Sequence, residues 1–314
     1  MKKLLLVLIS ICIISFASVY IFIPSKITFS KVFILKTKTS IANRLLLNEN
    51  YWYKWWPSPT VDKKIGLDKN HFAYENYNYS LNKKMINTGE VTISGENISL
   101  KSLLSIISMN SDSIVINWNS EMPKATYPLA RIKSYLKAKR IKNSMTAILE
   151  NFQSFLNKTE NIYGFSIGQM QVKDTLLIST RFTSAVYPST EDVYKEINML
   201  KKYVAQEHAT ETGYPMLNII HDSSNYRAMI AIPINSAIPV KNNYEIKRMV
   251  AGKILVAQIS GGEASAKEAM KQLVYFLQDN HISSPAIPFE SLVTDRSTEH
   301  DSSKWVTKIY YPIF

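Results

Sequence analysis

Residues 215–222 and 288–295 read as two copies of one segment. Pro215-Met216-Leu217-Asn218-Ile219-Ile220-His221-Asp222 aligns without a gap on Pro288-Phe289-Glu290-Ser291-Leu292-Val293-Thr294-Asp295, with proline and aspartate at the same separation. Each copy sits in the same surroundings. Upstream of the first come a strand-like stretch, Val172–Thr183, and a helix that opens at Ser189 or Thr190 and ends near His208. Upstream of the second come Tyr244–Ser260, a Gly261-Gly262 turn and a helix over Glu263–Gln278, whose Met270, Leu273, Val274 and Leu277 mark an apolar face. A further strand follows each, Tyr226–Ile234 and Trp305–Ile313. The sequence therefore predicts a βαββ unit used twice over residues 163–314, related by a pseudo-twofold axis, with a groove between two sheets. Interfaces between repeats are common ligand sites.

The repeat also marks where the two copies differ. Strand side chains alternate between faces, so Glu290, Leu292 and Thr294 share one face, and their counterparts are Leu217, Ile219 and His221. A carboxylate thus stands where the sister copy places leucine. Burying an unpaired charge is costly, so Glu290 needs a partner or a role. It is a ligand-site carboxylate, a partly exposed residue at a strand edge, or one paired with a lysine or arginine. Tyr187, Tyr226, Trp305 and Tyr310 are the candidate aromatic neighbours that would offer cation–π faces. Tyr310 stands where the sister copy has Ala231, a second break in the symmetry.

This pattern resembles the GyrI-like, or effector-binding, domain family, most specifically in Pro288-Phe289-Glu290 and in the closing Trp305–Ile313 run. The resemblance implies that Glu290 lies in a ligand groove. There it would face cationic aromatic molecules, or assist water attack as in the family's hydrolase members. Leu292 departs from the tyrosine often found there.

Residues 25–158 predict a different α+β unit. A β-branched and aromatic stretch, Ile27–Thr39, precedes a short helix over 41–47. Strand-like segments follow at Tyr74–Leu81, Met85–Ser94, Ile98–Ile107 and Ser113–Asn119, and a helix over Lys139–Leu156 closes the unit. Strand, short helix, antiparallel strands and long final helix is the order of a helix-grip fold. Together with Trp52-Tyr53-Lys54-Trp55-Trp56-Pro57, that order resembles the membrane-anchored branch of the SRPBCC (polyketide cyclase-like) superfamily. The resemblance implies a cavity between sheet and helix. The tryptophans either pack the core or contact a ligand.

Met1-Lys2-Lys3 precedes an uncharged run, Leu4–Ile23, long enough to cross the ~30 Å hydrocarbon layer as a helix. A cleaved signal peptide and an uncleaved anchor both fit. The length of the run and the poor cleavage pattern around Ser15-Phe16-Ala17 favour the anchor. Residues 1–24 are thus expected to form a single-pass transmembrane signal-anchor that holds both domains on the extracytoplasmic side.

The rest of the sequence narrows the function by what it lacks. The net charge of +12 is concentrated in Lys124, Arg131, Lys133, Lys137, Lys139, Arg140 and Lys142. No nucleic-acid motif accompanies this charge, so it reads as a solvated helix face or a lipid contact. Cys12 is the only cysteine, and His71, His208, His221, His281 and His300 lack metal-ligand spacing. With nine glycines there is no phosphate-binding loop. No cofactor, metal or nucleic-acid partner is expected, and no catalytic set is evident. The reading is a membrane-anchored protein that binds an apolar or cationic aromatic small molecule in its C-terminal domain. The alternatives are a hydrolase with Glu290 as general base and a structural protein whose grooves are filled by side chains.

Overall fold

The protein is seen here as a computed structural model that describes residues 2–57, 72–172, 175–222, 224–241, 243–249, 251–284 and 286–313, apart from the side chains of residues 2–9, 12, 15, 83 and 84. The expected position of His71 and the first part of the apolar run's side chains lie outside this set. The chain divides into two compact units, Met1–Lys158 and Thr159–Phe314.

The first unit opens with helix α1 (Lys2–Phe22). Among the described residues no helix is long and apolar enough to cross a membrane. The expectation of a span over residues 4–23 therefore rests on the sequence. Then come β1 (Thr28–Leu35), α2 (Thr39–Leu45), a 3-10 turn at Glu49–Lys54, β2 (Phe72–Tyr74), β3 (Tyr77–Met85), β4 (Thr88–Gly95), β5 (Ile98–Asn110), β6 (Ser113–Glu121) and α3 (Pro128–Leu156). The strands form one antiparallel sheet in the order β1-β6-β5-β4-β3-β2. Alternation sets its inner face: Leu100, Leu104 and Ile106 on β5 and Ile114, Ile116 and Trp118 on β6 are buried. The β4–β5 turn places Glu96 and Asn97 at φ of 47° and 61°, the left-handed pair of a two-residue hairpin. Glu96 there accepts from Tyr77 Oη and Arg140 Nη1 of α3.

Helix α3 starts eleven residues before the expected Lys139, with Pro128 in its first turn, where the missing N–H costs nothing. Its early turns carry Leu129, Ile132 and Leu136 at helical spacing, but Leu129 and Leu136 stay exposed, so this stripe is not a core face. Arg131 anchors them instead, donating to the carbonyl of Ile23 at 2.8 Å and lying 4.6 Å over the Tyr20 ring. The basic cluster is thus partly spent on structure, with Lys137 and Arg140 both facing Glu96.

The tryptophans fill the described interior of this unit. Trp52 stacks on Trp56 at 4.9 Å, Trp55 meets Phe152 of α3 at 4.7 Å, and Trp56 meets Tyr79 at 5.4 Å. Their indole N–H groups donate to the carbonyls of Leu46, Leu45 and Ala73. Buried rings with satisfied N–H groups are packing elements. Of the two readings of this cluster, the geometry favours the core.

The second unit contains α4 (Thr159–Tyr163), β7 (Ile167–Val172), β8 (Thr175–Ser184), α5 (Thr190–Gln206), β9 (Met216–Asp222), β10 (Asn225–Ile234), β11 (Glu245–Met249), β12 (Gly252–Ser260), α6 (Glu263–Asp279), β13 (Phe289–Leu292) and β14 (Val306–Ile313). Ser189 and Asp192 form a capping box that starts α5. The duplicated strand–helix–strand–strand pattern is present, but the two copies share one eight-stranded sheet in the order β11-β8-β10-β9-β13-β14-β12-β7. The expected groove between two sheets is corrected accordingly. β9 and β13 join edge to edge, with Leu217 paired to Glu290, so the repeat-equivalent residues meet on the pseudo-twofold axis. Each copy also sends its leading strand across: β7 pairs with β12, and β11 with β8.

Candidate functional site

The register fixes where Glu290 points. Cross-strand partners share a face, so Thr180, Ile230, Leu217, Glu290, Ile309, Ala257 and Ile167 form one continuous row across seven strands. This is the face covered by α5 and α6: Leu217 and Ile230 pack with Val193 and Ile197, and Ala257 and Ile309 pack with Ala269 and Leu273. Glu290 is the only charged residue in the row, and its side chain is 16% exposed.

A cavity of about 250 Å³ opens beside it, walled by Tyr187, Tyr194, Leu217, Glu290, Arg296 and Trp305 among others. Arg296 Nη2 stands 3.6 Å from Glu290 Oε2, and the Arg296 side chain is only 9% exposed. The guanidinium also lies 4.9 Å over the Trp305 ring and donates to Thr307 Oγ1 at 2.7 Å. Its backbone N–H donates to Tyr194 Oη, which itself donates to the carbonyl of Thr294. The Arg296 Nε is buried without a hydrogen-bond partner. Trp305 is held by its indole N–H, which donates to the carbonyl of Glu299 at 2.7 Å. On the other wall, Lys267 Nζ sits 3.7 Å from the centre of the Tyr187 ring and pairs with Glu263.

The electrostatics follow from this burial. Desolvation raises the Glu290 carboxyl above the ordinary carboxylate range, and the Arg296 charge opposes the rise without cancelling it. The Tyr187 phenol is pushed well above its usual value, first by burial and then by the nearby Glu290 and Glu263 charges. The site is a carboxylate between aromatic faces, with two of the protein's own cations already seated on those faces.

Of the residues expected here, Tyr187 and Trp305 wall the cavity with Glu290. Tyr226 stands one ring further out, 5.4 Å edge-on from Tyr187 and 4.6 Å from His221. Tyr226 and Trp305 are repeat equivalents, so aromatic rings flank the site from both copies. Tyr310 is not part of it. It pairs with Phe289 and stacks on that ring at 5.1 Å, on the opposite face of the sheet from Glu290. The expectation for Tyr310 is corrected by this register. Arg296, Tyr194 and Lys267 were not anticipated. Arg296 occupies the position of Ser223 in the sister copy, so the asymmetry that singles out Glu290 would also have found it. Among the described residues no three of His, Cys, Asp and Glu converge as a metal site.

No protein-family model matches the chain, and no curated protein matches it. Similar solved structures include the C-terminal domain of EcmrR, 19% identical, with a TM-score of 0.42 over 48% of this chain and 98% of that one. SAV2435 bound to tetraphenylphosphonium is 16% identical, with a TM-score of 0.32 over 48% and 94% of the two chains. A hydrolase from Listeria innocua is 7% identical, with a TM-score of 0.36 over 48% and 92%. The GyrI-like and SRPBCC-like readings rest on sequence pattern and strand order.

Proposed function

We propose that this chain binds a cationic aromatic small molecule at the Glu290 site, and that residues 4–23 anchor it in a membrane with both units on the extracytoplasmic side. The observation that carries the binding reading is the carboxylate in the middle of an otherwise uncharged row. It is flanked by the Trp305 and Tyr187 rings and opens on a cavity. A cation over an aromatic face contributes about 0.5–2 kcal/mol, more as water is excluded, and a buried carboxylate adds charge complementarity. The present arrangement supports that preference, because Arg296 and Lys267 already take the two cation positions. A ligand would compete with Arg296 for Glu290.

The anchor reading is supported by the sequence and by exposure. Ile13, Ile14, Ile21 and Phe22 on α1 are 63%, 67%, 78% and 80% exposed, so the first unit does not bury them. Apolar side chains left uncovered on a helix suit a lipid surrounding.

The test for binding is a pair of probes matched in shape and opposite in charge. Tetraphenylphosphonium is expected to bind the full chain saturably, and tetraphenylborate is expected not to compete with it. Equal binding of both would reject charge recognition by Glu290. The test for the anchor is fractionation with and without residues 4–23. Recovery of the full chain in the soluble fraction, or protection of both units from external protease in intact cells, would contradict that reading.

A further inference from the structure

The second unit holds another cavity, of about 450 Å³, on the opposite face of its sheet. Its origin lies in the strand exchange. Val172 of β7 is three residues from Thr175 of β8, yet those strands lie six positions apart in the sheet. Met249 of β11 and Gly252 of β12 repeat the arrangement at the same spacing. Six strand spacings cover roughly 29 Å in a flat sheet, whereas three residues reach at most about 11 Å. Both links can close only if the sheet curls until its two ends approach. The cavity lies within that curl: Leu177, Met216, Met229, Lys247, Ile254 and Phe289 line it from the face turned away from α5 and α6, while Leu217, Arg248, Lys253 and Ile313 at its margins belong by register to the helix-covered face.

The lining defines the chemistry. Met216, Met229, Ile254 and Phe289 supply an apolar interior, and thioethers adapt to a flexible guest. The loop after α6 brings Ile287 across it, pinned where Asn218 Nδ2 donates to the carbonyl of Pro288 and Ser284 Oγ to that of Pro312. At the ends of the curl the charged lining residues are Lys247, Arg248 and Lys253, and no carboxylate is among the described lining residues. The nearby Glu245 is shared between Arg181 and Lys247, so one carboxylate faces two cations there. An apolar chamber with a cationic rim complements a molecule with an apolar tail and an anionic head.

We propose that this cavity binds a single-chain amphipathic anion of the fatty-acid class, with its alkyl tail inside the curl and its carboxylate at the mouth beside Lys247 and Lys253. Leu217 borders both this site and the Glu290 cavity, and the two have opposite charge preferences.

The test is equilibrium binding of radiolabelled dodecanoate to the full chain in zwitterionic lipid nanodiscs, corrected with empty nanodiscs. Dodecyltrimethylammonium serves as the competitor of equal chain length. Saturable dodecanoate binding is expected, without displacement by the cation. Met229→Trp, which fills the chamber, is expected to weaken it roughly tenfold or more. Lys247→Gln with Lys253→Gln, which leaves the interior intact, is expected to weaken it roughly three- to tenfold. Glu290→Gln is expected to leave it unchanged, so this proposal and the Glu290 reading fail separately. Circular dichroism melting checks that each variant folds. The proposal is overturned by the absence of saturable binding, by equal displacement with the cation, or by unchanged affinity in the folded double variant.

Discussion

Restoring the repeat symmetry at the Glu290 site separates function from folding. Glu290→Leu installs the sister residue Leu217 but leaves Arg296, 9% exposed, without its carboxylate. Removing one partner of a buried pair costs about 3–5 kcal/mol when nothing compensates. Here the Thr307 hydrogen bond and the Trp305 contact remain, so about 2–3 kcal/mol is expected. Glu290→Leu with Arg296→Ser restores both sister residues. Exchanging a buried ion pair for apolar packing is often neutral or stabilising by about 1–4 kcal/mol. Serine does not refill the space of Arg296, so the double variant should be less destabilised than the sum of the two single changes while losing the cationic ligand. The assay is denaturant-dependent amide exchange across β9, β13 and β14, which isolates the second unit from the first. If the double variant is as destabilised as the sum of the two single changes, the pair is structural and the argument fails.

Two further outcomes follow from burial and charge. Because the folded Glu290 pKa is raised above its unfolded value, the folded state holds its proton more tightly, and the residue's contribution to stability falls as pH rises from the ordinary carboxylate range through the folded pKa. A ligand that needs the ionised form should bind more tightly over that same interval. Calorimetry across pH in buffers of different ionisation heat should detect proton release, and a pH-independent affinity would contradict it. In the first unit, Trp52→Ala is expected to cost about 3–5 kcal/mol, read by amide exchange of β2–β4, since Trp52 is fully buried against Trp56 and Phe72. A loss under about 1 kcal/mol would mean the ring is not core.

The sequence made the duplication legible because two eight-residue segments align without a gap and each follows a helix. It made Glu290 legible because one copy carries an acid where the other carries leucine. Sheet pairing was not legible. Alternation assigns faces within a strand, but it does not say which edge β7 and β11 will join, and their crossing turned two expected sheets into one. Tyr310 was misplaced for the same reason, since only the register to Phe289 shows that it faces away from Glu290. Arg296 lies in the loop between β13 and β14, where no periodicity directs attention. The first third of α3 leaves its apolar Leu129 and Leu136 exposed and is fixed by Arg131.

The central claim is that the Glu290 charge recognises a cation. Titration calorimetry of the full chain with tetraphenylphosphonium, on wild type and on Glu290→Gln, addresses it directly, because the substitution keeps the side chain's size. The account predicts that the variant folds and binds more weakly by about 1–3 kcal/mol. A hydrolase that uses Glu290 as general base would instead bind its substrate nearly unchanged in the variant and lose turnover. Equal affinity of wild type and variant for the phosphonium would contradict the account.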